Sequence, residues 1–237
     1  MNGTTTTTTN TPTDTVEPGS AEWTPVHVTR SLLGWGVVAG PCYVITSVAQ
    51  GLLREGFDFS RHQWSLLANG DHGWIQVTNL ILTGLMLVAL AVGLGRALEG
   101  AVGGRWAPRL VVVFGLGLVG SGLFRADPAM GFPAGTPEGV AEVTTRGTLH
   151  FAAAGVGFIA IAIACFVLAR RFSADGDRVM SRFSRLTGVA FLGGFLCVAS
   201  GGGSVVANLL FTVAVVLVFA WVAAVARHHY RALGALA

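Results

Sequence analysis

Val205-Val206-Ala207-Asn208-Leu209-Leu210-Phe211-Thr212-Val213-Ala214-Val215-Val216-Leu217-Val218-Phe219-Ala220-Trp221-Val222-Ala223-Ala224-Val225-Ala226 contains no charged residue. As a helix rising 1.5 Å per residue it measures about 33 Å, enough to cross a hydrocarbon layer about 30 Å thick. Immediately before it stands Ser200-Gly201-Gly202-Gly203-Ser204, and before that a second apolar run, Leu186–Ala199. Unbroken, residues 186–226 would form a helix of about 60 Å, twice the bilayer thickness. The glycine run therefore marks a tight turn between two antiparallel spans.

Reading outward from this pair gives four further spans, at about 31–53, 74–98, 109–124 and 147–169. The fold expected is an all-α membrane protein, a six-transmembrane-helix bundle occupying residues 29–230 with a disordered N-terminal tail. Composition agrees: 52% of residues are hydrophobic and 11% charged, whereas soluble domains are about 25% charged. Pro41, inside the first span, leaves one backbone carbonyl without its helical partner and predicts a kink.

Residues 1–28 hold six successive threonines, Thr4 to Thr9, with scattered prolines and acids. This segment buries too little apolar surface to offset its ordering entropy and is expected to be a disordered cytoplasmic tail. It lacks the basic start and apolar core of a signal peptide, so the first span is read as an uncleaved anchor. Residues 231–237 are read as a short cytoplasmic tail.

The fifteen basic residues are all arginines. Eleven group with the termini and the 2–3 and 4–5 loops: Arg30; Arg96, Arg105, Arg109; Arg170, Arg171, Arg178, Arg182, Arg185; Arg227, Arg231. Four, Arg54, Arg61, Arg125 and Arg146, fall on the other side. The positive-inside rule then puts both termini in the cytoplasm of a multi-pass protein of the cell (inner) membrane. A net charge of +3 argues against nucleic-acid binding, leaving the bilayer as the evident partner. Cys42, Cys165 and Cys197 are an odd number without a CxxC, each within an apolar run, and read as buried, inert thiols. Gly36/Gly40, Gly117/Ser121 and Ala153/Gly157 have the spacing that lets helices approach closely in lipid. Such pairs serve packing within one bundle or between copies, and set no subunit number.

The outward loops differ from the basic ones. The 1–2 loop, Arg54–Gly73, includes a Trp64–Ala68 stretch suited to a short interfacial helix, with Trp64 and Trp74 at headgroup level. In the 3–4 loop, Pro128, Pro133 and Pro137 interleave with Gly131, Gly135 and Gly139, the pattern of a turn-rich lid. Within the spans, Tyr43, Thr46, Ser47 and Gln50 share one face; Gln76, Asn79 and Thr83 recur at helical spacing; Asn208 and Thr212 are four apart. Unpaired polar groups in hydrocarbon are costly, so these should face one another. The picture expected is an outward-opening polar pocket with candidate ligand residues Gln50, Ser65, Asp71, His72, Gln76, Asn79, Arg125 and Asn208.

Asp127 and His150, at facing ends of the third and fourth spans, are the candidate catalytic pair, with Arg125 and Asp127 expected to form an ion pair that shapes the lid. A carboxylate beside a histidine suits proton transfer, while a fixed hydrogen bond that staples the bundle explains the same residues. No metal site is expected, because His62, His72, Asp71 and Asp127 are the only residues that could assist His150 as ligands. No second span carries a histidine for haem, and the chain has no P-loop, dinucleotide fingerprint, HExxH or Gly-x-Ser-x-Gly motif, so no cofactor is expected.

Ser65-Leu66-Leu67-Ala68-Asn69-Gly70-Asp71-His72-Gly73-Trp74-Ile75-Gln76-Val77-Thr78-Asn79-Leu80 with Thr83-Gly84, then Gly122-Leu123-Phe124 with Asp127-Pro128, Gly131 to Pro137, and Thr145, Gly147 and Leu149-His150 together resemble the bacterial membrane family known as domain of unknown function 998. The resemblance spans about residues 32–230. It implies six helices and, with the all-arginine usage, an actinobacterial kind of source; it implies no chemistry. Three readings of function stay open. A protein that binds or transports a small or amphiphilic molecule predicts a cavity, continued toward the cytoplasm if it transports. A structural or accessory membrane protein predicts none. An intramembrane enzyme using Asp127 and His150 predicts titratable groups converging in a closed pocket.

Overall fold

The computed structural model describes residues 25–139, 142–200 and 204–234. They form six helices, α1 (Pro25–Leu53), α2 (Gly73–Ala97), α3 (Trp106–Leu123), α4 (Thr145–Ala174), α5 (Arg178–Ala199) and α6 (Val205–Gly234), with a 3-10 turn at Trp64–Ala68. Each of the six is long and apolar enough to cross a membrane, and the chain is a multi-pass helical bundle. α5 and α6 end and begin on either side of the glycine run, whose Gly201–Gly203 lie outside the described residues, as do residues 1–24 of the segment 1–28 read as a disordered tail; its residues 25–28 are instead the first turn of α1.

Several helices are longer than hydropathy alone predicts. α3 begins at Trp106, α4 continues to Ala174, α5 starts at Arg178 and α6 runs to Gly234. A hydropathy window stops at the first arginine, whereas the helical backbone does not. Arginine is a good helix former, so the helix continues past the point where hydropathy falls. At the other end, α1 already includes residues 25–30. Side chains fix two starts: Thr144 Oγ1 accepts from Gly147 N–H at 3.1 Å to cap α4, and Asp177 accepts from Met180 N–H at 2.9 Å to cap α5.

Each helix packs on its neighbours in sequence, and α6 returns to α1, closing a six-helix ring; α2 and α6 also touch across it. The Arg30 guanidinium lies 4.5 Å from the centre of the Tyr230 ring, so both ends of the bundle domain share one face. On the opposite face the 1–2 and 3–4 loops meet. The closed core includes Leu33, Leu87, Leu94, Ile161, Phe172 and Trp221. The outer surface carries Ile45, Leu82, Leu85, Val156, Val189 and Val213, apolar side chains that suit lipid. Cys165 is buried, but Cys42 is half-buried and Cys197 is exposed, so the expectation of three buried thiols holds for one.

The small-residue pairs pack helices within this chain. A Cβ at Gly36 would stand 2.7 Å from Leu90 and 2.9 Å from Ala226, and one at Gly117 would stand 2.8 Å from the Ala153 carbonyl. Polar stitches add direction: Trp221 Nε1–H donates to Ser184 Oγ at 2.8 Å, and Ser181 Oγ–H donates to the Ala169 carbonyl at 2.9 Å.

Candidate functional site

The buried amides form one cluster between α1 and α2. Gln76 Oε1 accepts from Gln50 Nε2 at 2.8 Å and from Asn79 Nδ2 at 3.3 Å, while Gln76 Nε2 donates to Ser47 Oγ at 3.1 Å. Asn79 Nδ2 also reaches the Tyr43 carbonyl at 3.1 Å. The i, i+3 and i, i+4 spacing on both helices aligns these groups. They bond to one another rather than lining the cavity, although Gln50 Oε1 is buried without a partner among the described residues.

The two loops build a cap over this end. Arg54 donates to the carbonyls of Leu67 and Asn69 and lies against the Phe132 ring at 4.9 Å. Its burial lowers the guanidinium from its ordinary value, with Asp71 opposing. His62 Nδ1 accepts from Asp58 N–H at 2.9 Å, so its other nitrogen, Nε2, donates to the Met130 carbonyl at 2.9 Å. Phe57 meets Phe132 edge-on at 5.1 Å, and Arg61 pairs with Glu138 at 2.8 Å. Asn208, near the start of α6, donates to the Phe59 carbonyl at 2.9 Å, and Asn69 Nδ2 to the Ala126 carbonyl at 3.0 Å. The turn-rich lid expected from sequence is therefore a packed cap. Its Trp64–Ala68 turn is folded into the protein: Trp64 is buried with its ring 5.8 Å from that of Tyr43, while Trp74 is exposed.

Beneath the cap the ring holds a partly open cavity of about 90 Å³ lined by residues of all six helices and by Gln63, Trp64 and Ser65. Seven phenylalanines dominate it: Phe114, Phe151, Phe158, Phe191, Phe195, Phe211 and Phe219. Its lining runs from His150 to Phe158 on α4 and from Phe211 to Phe219 on α6, about 12 Å along each axis at 1.5 Å per residue. Among the described residues no Asp, Glu, Lys or Arg lines it. This is an apolar cavity with a polar rim, where the sequence predicted a polar pocket.

Asp127 and His150 have separate partners. Asp127 accepts from Thr144 N–H at 2.9 Å and from Thr144 Oγ–H at 2.6 Å, tying the lid to the start of α4. The expected Arg125–Asp127 ion pair is absent from the ion pairs of the described residues; Thr144 bonds to both carboxylate oxygens. His150 is buried, and its Nδ1 donates to the Ser121 and Phe124 carbonyls at 3.0 and 2.8 Å. It shares no hydrogen bond or ion pair with Asp127. Of the pocket candidates, Ser65 lines the cavity; Gln50, Gln76 and Asn79 form the amide cluster; Asn208 ties α6 to the cap; Asp71 and His72 are exposed and Arg125 is half-buried. No group of three metal-ligating residues occurs among the described residues.

Residues 37–228 match the family model described as Protein of unknown function (DUF998). The chain belongs to this family. No curated protein and no solved structure matches it. The matched region of this DUF998 chain takes in all of the cavity lining and the whole cap. What sequence reading missed in it is the set of phenylalanines. In an apolar span a phenylalanine facing the bundle interior looks the same as one facing lipid, and the helical phase that distinguishes them is faint when the whole helix is hydrophobic.

Proposed function

We propose that this protein binds the hydrocarbon part of a small or amphiphilic molecule in the phenylalanine-lined cavity beneath its cap. The observation that carries the reading is the cavity itself: all six helices and the 1–2 loop contribute to it, and its walls are almost wholly apolar. Apolar cavities with a few polar groups at one edge are the usual form of small-molecule sites. Close packing elsewhere leaves little reason for such a space in a purely structural bundle. Below Phe114 and Phe219 the interior is filled by buried Leu94, Leu168, Phe172 and Trp221, which supports a binding site over a continuous passage. Asp127 is engaged by Thr144, which leaves the acid–base enzyme reading with less support.

The cap faces outward in this reading, from the cell membrane, since eleven of fifteen arginines lie with the termini and the loops on the opposite side. Ala154 lines the cavity, and Ala154→Phe places a ring within it. In nanodiscs, decanol is expected to raise the melting temperature of the natural protein with concentration. Ala154→Phe should fold with an equal or higher melting temperature yet lose that response. An unchanged response in a folded Ala154→Phe protein would overturn the assignment to this cavity.

A further inference from the structure

Resting on the binding reading, we infer that the ligand's head is uncharged and donates a hydrogen bond, as in a long-chain alcohol, with His150 Nε2 as the acceptor. Both partners of His150 Nδ1 are carbonyl oxygens, which only accept, so the ring proton sits on Nδ1. When neutral, the ring keeps a lone pair on Nε2, and no donor of the described residues meets it. His150 is buried and lines the cavity. The Nδ1–H bonds to the Ser121 carbonyl of α3 and the Phe124 carbonyl just beyond it hold the tautomer and the ring plane, so the acceptor is preset.

The remaining rim groups are neutral. Gln63, Ser65 and Thr212 line the cavity, and none is charged. Ser121 Oγ–H donates to the Gly117 carbonyl of its own helix at 2.8 Å, which occupies its proton. Trp64, also on the lining, buries its Nε1–H without an acceptor among the described residues. A hydroxyl is suited to a site with both kinds of unpaired group, since it donates and accepts. A carboxylate or phosphate would instead bring a charge to an acceptor lone pair, with no arginine on the lining to balance it; buried unpaired charges are strongly disfavoured. Arg54 is committed to the Leu67 and Asn69 carbonyls and Arg61 to Glu138, and neither Arg125 nor Arg146 is on the lining. A polar site discriminates mainly by leaving its own buried groups unpaired when the wrong head is bound.

Decanol, decyl methyl ether and decanoate share a chain and differ at the head. Their binding to the purified protein in nanodiscs at pH 8 is read by thermal shift and by displacement of labelled decanol. Decanol is expected to bind about tenfold more tightly than the ether, the difference one buried hydrogen bond supplies, and decanoate more weakly than decanol. His150→Phe should retain ether binding and bring decanol down to the same level, and His150→Gln, which restores an acceptor, should recover part of the difference. Equal affinity for alcohol and ether in the natural protein, or a preference for decanoate, overturns the inference while leaving the cavity reading intact. Failure of all three to bind brings down the cavity reading itself. The alcohol–ether comparison decides the matter without a variant, should His150→Phe not fold.

Discussion

Gln76 is the residue on which the α1–α2 contact turns. It is fully buried and accepts from Gln50 and Asn79 while donating to Ser47. Gln76→Leu removes its own polar atoms but leaves those partners buried without it, a loss of about 1–3 kcal/mol. Denaturant or thermal unfolding in detergent should register it, and an unchanged midpoint would show that water replaces the amide. Asp127 offers a second test. A Cβ on Gly147 would run into the Asp127 carboxylate, so Gly147→Ala should destabilise by about 1–3 kcal/mol, as overpacked sites do. In an Asp127→Ala background the same change should be nearly silent, a coupling that a double-mutant cycle measures. The amide cluster was legible in the sequence, because Ser47 and Gln50 on one span and Gln76 and Asn79 on the next recur at helical spacing. The partner of Asp127 was not. Arg125 is two residues away and Thr144 seventeen, and only the folded loop brings the threonine to the carboxylate.

Among elements, the cap is the part whose order should depend on pH. The Arg61 hydrogen bond holds the Glu138 carboxyl below its ordinary value, and hydrogen bonds from the Ser60 hydroxyl and N–H do the same for Asp58. A carboxylate with a depressed folded value stabilises above its unfolded value, near pH 4, and that contribution disappears as pH falls through the folded value. Both groups are exposed, so the change is confined to the cap and the bundle keeps its fold. Hydrogen exchange across residues 54–73 and 125–139 should quicken in samples held below about pH 4 before labelling, relative to samples held at pH 7. Glu138→Gln should show part of that loosening already at pH 7; identical cap exchange for this variant and the natural protein would count against the ion pair. The six helices were legible from uncharged runs and the glycine break, but their ends were not. The limits of α4 and α6 lie among arginines, where hydropathy falls and helix propensity does not.

For the whole molecule, an even number of spans puts both ends of the described bundle on one face, proposed above to be the cytoplasmic one, which the arginine distribution favours. In a cysteine-free background, an impermeant maleimide added to intact cells should label Gly135→Cys and miss Gly176→Cys; the reverse pattern would invert the bundle and turn the cap to the cytoplasm. The ring was not legible in the sequence. Spans are read one at a time, whereas closure of α6 onto α1 and the cavity it leaves are properties of all six together. Binding of an amphiphile in that cavity is the central claim, and photolabelling in membranes tests it most directly. A decanol analogue with a diazirine near the end of its chain is irradiated on the protein in bilayers, and the labelled peptides are mapped. Label is expected on the segments bearing Phe158, Phe195 and Phe211, removed by excess decanol and absent from Ala154→Phe. Label spread over the lipid-facing Leu82, Leu85 and Val213, and unmoved by decanol, would contradict the account.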